Sequence, residues 1–396
     1  MVGDLARLPL KYGLNPQQRN AVAEMPDGGP LPFSVLCGTP SVVNLLDAFQ
    51  GWQLVREASG ALGLPAAASM KHVSPAGAAV AGEVDPVTRA TFRLGDEVSD
   101  LASAYARARD CDPRSSYGDM VALSHPVDRA TASLLARVVS DGVIAPGYEP
   151  GVVEILARKK RGAFLVLRVD PAHEPPAEQV RDVFGVRIVQ DTDPVVLDAA
   201  SLTEGAEGTA RPTGQQVRDA VLGLITVRYT QSNSVAYVHH GRTIGIGAGQ
   251  QSRVDCVRLA GEKADRWRLR RHSSLTNIQF PDAMSLQDRV NSVMRLIEAG
   301  PDTEPERPAS AELPGLPPPA KPLDPAERRA WLAGHTPCTL VSDAYLPFRD
   351  NVDAAAAHGV RCIVEGGGST RGKEVEAACE EHSIALIRTG LRLFSH

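Results

Sequence analysis

The chain reads as a layered α/β protein built from two related lobes. Three observations carry this reading. Short apolar, strand-like runs alternate with helical ones, which implies sheets covered by helices. Two stretches, Tyr117–Val169 and Thr339–Arg388, repeat the same order of elements. A chain of 396 residues also exceeds what one core usually organises, so two domains are the natural division.

In the first stretch, Met120–Leu123 reads as a strand leading through Pro126-Val127-Asp128 into an alanine-rich helix. The short strand Gly142–Ala145 meets Pro146-Gly147, a helix follows around Val152–Lys159, and the strand Ala163–Val169 closes the unit. In the second stretch, the strand Thr339–Val341 leads past Pro347 to Asn351-Val352-Asp353 and another alanine-rich helix. The strand Val360–Val364 meets Gly366-Gly367-Gly368, and the helix Lys373–Glu381 precedes the strand Ile384–Arg388. Each is a β-α-β-α-β unit with a gap after its middle strand, so sites are expected near the carboxyl ends of the strands. The loop Asp170–Pro176 carries three prolines, and Glu304–Pro325, with Pro317-Pro318-Pro319, reads as an extended surface crossing. We place the lobes at residues 1–195 and 196–396, with the crossing at 304–325 inside the second.

Composition narrows the function. A net charge of −5 argues against a dedicated nucleic-acid binder, which would show a strongly basic face. No window approaches the roughly 18 apolar residues of a membrane span, and Met1–Leu10 lacks the apolar core of a signal peptide. The six cysteines lie far apart with no C-x-x-C pair, so reduced, mostly buried thiols in a cytoplasmic protein are expected.

The densest chemistry is Lys71-His72-Val73-Ser74-Pro75-Ala76-Gly77, an amine and an imidazole running into what reads as a small-residue turn. Such a pair can divide a proton-transfer task, one group removing a proton and the other holding developing charge. Tyr229-Thr230-Gln231-Ser232-Asn233-Ser234 follows the apolar stretch Val221–Val227 and suits a ligand edge at a strand end; an ordinary polar loop explains it equally. Asn233 stands out there because its amide both donates and accepts. The run from Gly245 to Arg253 offers close backbone approach and a guanidinium, a combination suited to phosphate or carboxylate. Asp141 precedes a short apolar strand, Ser342–Asp350 mixes aromatic and acidic side chains around Tyr345 and Pro347, and Gly366–Ser369 is a glycine turn. A dinucleotide fingerprint would need glycine at Gln250, and neither a Walker loop nor an H-E-x-x-H, zinc-deaminase or G-x-S-x-G pattern occurs. His239-His240 would point to opposite faces of a strand, which disfavours joint metal ligation.

Together the motifs resemble the transformylase part of the phosphoribosylaminoimidazolecarboxamide (AICAR) formyltransferases of purine biosynthesis. The matching pieces, in order, are Lys11–Pro16, Lys71–Gly77, Ser116–Asp119, Ser140–Tyr148, Tyr229–Ser234, Gly245–Arg253, Asp343–Asp350 and Leu391–Phe394. The resemblance implies duplicated three-layer α/β/α lobes of cytidine deaminase-like fold without that fold's catalytic zinc, and a homodimer with its sites at the subunit interface. It implies formyl transfer from 10-formyltetrahydrofolate, as co-substrate, to the 5-amino group of AICAR. Lys71, His72 and Asn233 are then the catalytic group. Lys11, Tyr12, Gly118, Asp141, Arg253 and Arg392 bind AICAR, and Tyr117, Tyr345, Pro347, Asp350 and Ser369 line the folate side. No metal is expected in the site, and a structural monovalent cation is left open.

Departures accompany the match. Lysine stands at Lys11 where the family commonly has arginine, and tyrosine at Tyr117 and Tyr345 where phenylalanine is usual. The sequence starts at the transformylase, so a separate IMP cyclohydrolase is expected to finish the pathway. Two other readings stay in play: a related formyltransferase acting on another amino-heterocycle, and a nucleotide-binding regulator without turnover.

Overall fold

A computed structural model describes residues 5–299, 322–334 and 337–396. Most of the expected crossing, residues 304–321, lies outside them. Two six-stranded mixed sheets organise the chain. In the first, the order is Phe33–Cys37, Leu165–Val169, Ser140–Ala145, Asp119–Leu123, Ala66–Lys71, Ser74–Val80. In the second it is Ala206–Glu207, Ala385–Arg388, Val360–Glu365, Cys338–Ser342, Val235–Val238, Thr243–Gly247. Each sheet has three parallel strands in its middle, an antiparallel strand on one edge and an antiparallel hairpin on the other. Both lobes follow one chain order of strand, long helix, hairpin, helices and β-α-β-α-β unit, so the repeat seen in the sequence extends to whole lobes.

The helices Val42–Leu62 and Gly214–Arg228 pack against each other and lie between the two sheets, so both lobes share one central core. Val221–Val227 therefore belongs to a helix and not to a strand as its apolar run suggested. A capping box at Thr213 and Gln216 starts that helix, and its buried apolar residues face both the sheet and the neighbouring helix. Gly223 makes the packing close: a Cβ there would lie 2.3 Å from Val341. Further helices cover the outer faces, burying Tyr105, Leu134 and Phe164 on one side and Tyr237, Leu340 and Val352 on the other. Each such side chain contributes about 1.5–3 kcal/mol by leaving water.

The lobes meet edge to edge. Val80 N donates to Gly241 O at 2.9 Å, Ala78 N donates to the Thr243 hydroxyl at 2.9 Å, and Ala79 bridges Arg242. Buried charges brace the same seam: Asp110 accepts from Arg270 at 2.9 Å and Arg271 at 2.5 Å, and Arg271 stacks 3.5 Å over the Trp267 ring. All six thiols are free, and burial pushes Cys111, Cys256, Cys362 and Cys379 up to about 12. No helix among the described residues is long and apolar enough to cross a membrane.

Candidate functional site

Lys71 ends the strand Ala66–Lys71, and Ser74 pairs with it as the first residue of the next strand. The connection is thus the two residues His72 and Val73, both with positive φ (53° and 62°). A two-residue hairpin with both central φ positive normally takes Asn-Gly or Asp-Gly; a β-branched valine there is strained. The tight turn is therefore His72-Val73. The small residues Ser74–Gly77, expected to form a turn, lie in a strand. Their size serves packing instead: a Cβ on Gly77 would lie 2.0 Å from Ala108 O of the helix Asp100–Asp110.

A buried carboxylate holds the strained turn. Asp47, on the helix Val42–Leu62 and 6% exposed, accepts a hydrogen bond from Val73 N at 2.6 Å. Burial raises its pKa, while the Val73 N–H and the charges of His72 and Lys71 oppose that shift. The sequence reading missed Asp47. Its signal is a carboxylate inside the apolar run Val42-Val43-Asn44-Leu45-Leu46-Asp47-Ala48. Lys71 Nζ donates to Gly118 O at 2.8 Å, and a Cβ on Gly118 would lie 3.2 Å from that amine and 3.7 Å from an Asp141 oxygen. Gly118 has a φ of 71°, so its backbone conformation and its surroundings both favour glycine. Asp141 lies on the strand Ser140–Ala145 and pairs with Lys160 at 2.5 Å. The adjacent Lys159 donates to the Ser140 hydroxyl at 2.7 Å, and burial lowers its pKa to about 7. Lys11 and Tyr12 lie across the start of the helix Val42–Leu62, where Val42 N donates to Tyr12 O at 3.4 Å.

A second group of expected residues gathers in the other lobe. Both Asn233 amide hydrogens are engaged, by Gln250 O at 2.8 Å and Gln251 O at 3.1 Å, and its Oδ1 accepts from Arg253 at 2.8 Å. Arg253 starts the helix Arg253–Leu269 and is also paired to the buried Asp343. Asp343 further accepts from the Ser232 hydroxyl at 2.6 Å and from Ser234 N at 2.9 Å. The glycines ahead of Arg253 let this helix approach: a Cβ on Gly245 would lie 2.2 Å from Ala260 O, and one on Gly247 2.6 Å from Cys256 O.

The chain end closes over this lobe. Leu393 N donates to Asp343 O at 2.8 Å and Ser232 N to Ser395 O at 2.9 Å, and the exposed Arg392 immediately precedes these anchors. Tyr345 projects outward, 47% exposed. The Ser369 hydroxyl bonds Pro347 O at 3.4 Å. Asp350 lies in the first turn of the helix Arg349–Ala357, which starts ahead of Asn351-Val352-Asp353.

The two groups meet where Gln231 N donates to the Ser74 hydroxyl at 3.2 Å, tying the Tyr229–Ser234 run to the Lys71–His72 hairpin. The chemistry-bearing face is open: His72 is exposed and Tyr117 is 51% exposed. The Tyr229–Ser234 run follows a helix, not a strand. His239 and His240 lie in a hairpin turn with ring centroids 4.3 Å apart, contrary to the opposite faces a strand would give them. No cluster of three or more His, Cys, Asp or Glu among the described residues is arranged to hold a metal ion.

Comparison with known proteins adds independent findings. Residues 4–263 match the profile of the AICARFT/IMPCHase bienzyme family. Bifunctional purine biosynthesis protein PurH of Magnetococcus marinus is 32% identical over 393 residues, covering 98% of this chain and 59% of that protein. PurH of Roseobacter denitrificans is 31% identical over 401 residues, covering all of this chain and 60% of the relative. PurH of Cereibacter sphaeroides is 30% identical over 399 residues, with the same shares. The chain thus spans about three fifths of the length of these curated relatives.

Proposed function

Since the chain belongs to the AICARFT/IMPCHase bienzyme family, we propose that it transfers a formyl group from 10-formyltetrahydrofolate to the 5-amino group of AICAR, releasing tetrahydrofolate. The observation that carries this reading is the Lys71–His72 hairpin, a strained turn held by Asp47 beside Gly118 and Asp141. Backbone strain of this kind, over-determined by its surroundings, is a mark of a functional site. An amine on an electron-poor imidazole carboxamide is a weak nucleophile, so it must be held against the formyl carbon and relieved of a proton as the C–N bond forms. His72 takes that proton. The Lys71 ammonium faces the oxygen that becomes negative in the tetrahedral intermediate, and the proton on His72 leaves with the folate nitrogen as the old C–N bond breaks.

Around this pair, Lys11, Tyr12, Gly118, Asp141, Arg253 and Arg392 hold the ribotide, and Tyr117, Tyr345, Pro347, Asp350 and Ser369 hold the folate. Asn233 orients Arg253 and the loop beside it. The exposure of His72, Tyr117, Tyr345 and Arg392 supports a site completed by a second copy in a homodimer. The lobes divide at residues 195 and 196, and the protein works in the cytoplasm.

Tetrahydrofolate release, followed with AICAR and 10-formyltetrahydrofolate, tests the reading. Turnover with AICAR well above other amino-heterocycles is expected, and His72→Ala should lower kcat by about 10²–10⁴. Absence of transfer, or full activity in His72→Ala, would overturn the proposal or its mechanism respectively.

A further inference from the structure

The duplicated fold builds the hairpin twice. In the second lobe, His239 and Arg242 pair by reciprocal backbone bonds at 2.8 and 3.3 Å, leaving His240 and Gly241 as a two-residue turn. Both have positive φ, 50° and 71°, as His72 and Val73 do. Asp219 is the sixth residue of the helix Gly214–Arg228, as Asp47 is of Val42–Leu62. It accepts from Gly241 N at 2.7 Å and from His240 N at 2.9 Å, just as Asp47 holds Val73 N. Element by element, His239-His240 stands where the first lobe has Lys71-His72.

A cavity of about 430 Å³ opens at this second turn, and none of its lining residues belongs to the candidate catalytic site. That volume lies within the usual range for small-molecule sites. Its lining includes Arg107, Arg218 and Arg242 on one side of the balance and Glu83 and Asp85 on the other. Asp85 is already engaged, by Arg242 at 2.8 Å and Arg271 at 2.9 Å. Arg218 is exposed and, among the described residues, donates only to the neutral Gln215, at 2.8 Å. Arg107 is 3% exposed; it donates to the carbonyls of Val80 and His240, and its Nε has no partner. Neither arginine is in an ion pair among the described residues. Burial and the charge of Arg242 lower the Arg107 pKa to about 10, with Asp219, Asp85 and Glu83 opposing, so it stays charged at neutral pH. A buried cation without a carboxylate partner is costly and gains most from an incoming anion. Leu62 and Leu64 supply an apolar wall.

We infer that the His239–His240 hairpin and its cavity form a second small-molecule site, the counterpart of the Lys71–His72 site, which takes a phosphate monoester. The phosphate meets Arg218 and the spare donors of Arg107, whose forked N–H groups suit a dianion. The organic body rests on Leu62 and Leu64. The inference stands apart from the proposed formyl transfer.

Calorimetric titration of the whole protein with ribose 5-phosphate tests it, run on wild type, Arg218→Glu, Leu64→Trp and Lys11→Glu, with formyl transfer measured on each preparation. A binding component is expected that weakens at least tenfold in Arg218→Glu and Leu64→Trp, persists in Lys11→Glu, and leaves basal transfer in Arg218→Glu unchanged. Binding unaltered in the first two variants, abolished by Lys11→Glu alone, or absent altogether overturns the inference. Wild-type protein that binds in this pattern but transfers no formyl group would instead count against the proposed function. Arg218 is on the surface, so its variant keeps the test decisive should Leu64→Trp fail to fold.

Discussion

Asp343→Ala tests whether the second lobe's part of the site is held together by buried charge. Asp343 is 1% exposed and pairs with Arg253, itself 8% exposed. Removing the carboxylate leaves a buried guanidinium uncompensated, which costs about 3–5 kcal/mol. It also strips the acceptor from the Ser232 hydroxyl and Ser234 N. An unfolding entropy of about 2.1 cal/mol/K per residue, taken over 396 residues, gives roughly 0.8 kcal/mol/K, so the expected fall in Tm is about 4–6 °C. Scanning calorimetry reads it directly. Formyl transfer should fall as well, because Arg253 anchors Asn233 and the loop that meets Ser74. Replacing both partners with apolar residues, Arg253→Met with Asp343→Leu, should recover most of the stability and none of the activity, since the penalty lies in the orphaned charge. A single variant that melts within 1 °C of wild type would refute the reasoning, as would a double variant no more stable than the single.

Three further outcomes are expected. Gly77→Ala places a Cβ 2.0 Å from Ala108 O and should cost about 3 kcal/mol by overpacking, seen as a lowered denaturation midpoint; an unchanged midpoint would contradict the packing described. Asp47→Ala frees the strained His72-Val73 turn and should lower kcat more than it raises the KM for AICAR, whereas equal kcat would mean that Asp47 serves the fold alone. His239, half-buried and bonded to Pro337 O, has its pKa lowered to about 3 by partial burial and by the charge of His240. The folded state therefore declines a proton that the unfolded chain accepts near its ordinary 6.5, so stability falls as pH drops from about 6.5 towards 3. His239→Asn should lose less Tm than wild type between those limits, and parallel losses would remove His239 as the cause.

Two α/β lobes, their β-α-β-α-β units and the strands Met120–Leu123 and Val360–Val364 were legible in the sequence, because apolar periodicity and turn residues are local. Lys71, His72, Asn233 and Arg253 stood out by type and by the ordered match along the chain; the fold joins Asn233 to Arg253 by a hydrogen bond, and the roles of all four are proposed. Val221–Val227 was misread for a physical reason: a short apolar run buried on several faces has no period by which helix and strand can be told apart. Ser74–Gly77 looked like a turn because small residues suit turns, yet here they admit a helix against a sheet. The turn itself fell on His72-Val73, where local preference argues against it.

What the sequence determined by itself was the inventory and the class: which groups can do chemistry, and that they sit on sheets covered by helices. Tertiary structure alone decided which groups meet. Asp47 reaches Val73 across 26 positions and Asp343 reaches Arg253 across 90, and no local pattern encodes such a pairing. It also disclosed that the two lobes carry the same clamped hairpin, because that likeness lives in backbone conformation and a repeated hydrogen bond, while in sequence the two turns share only a histidine, His72 and His240.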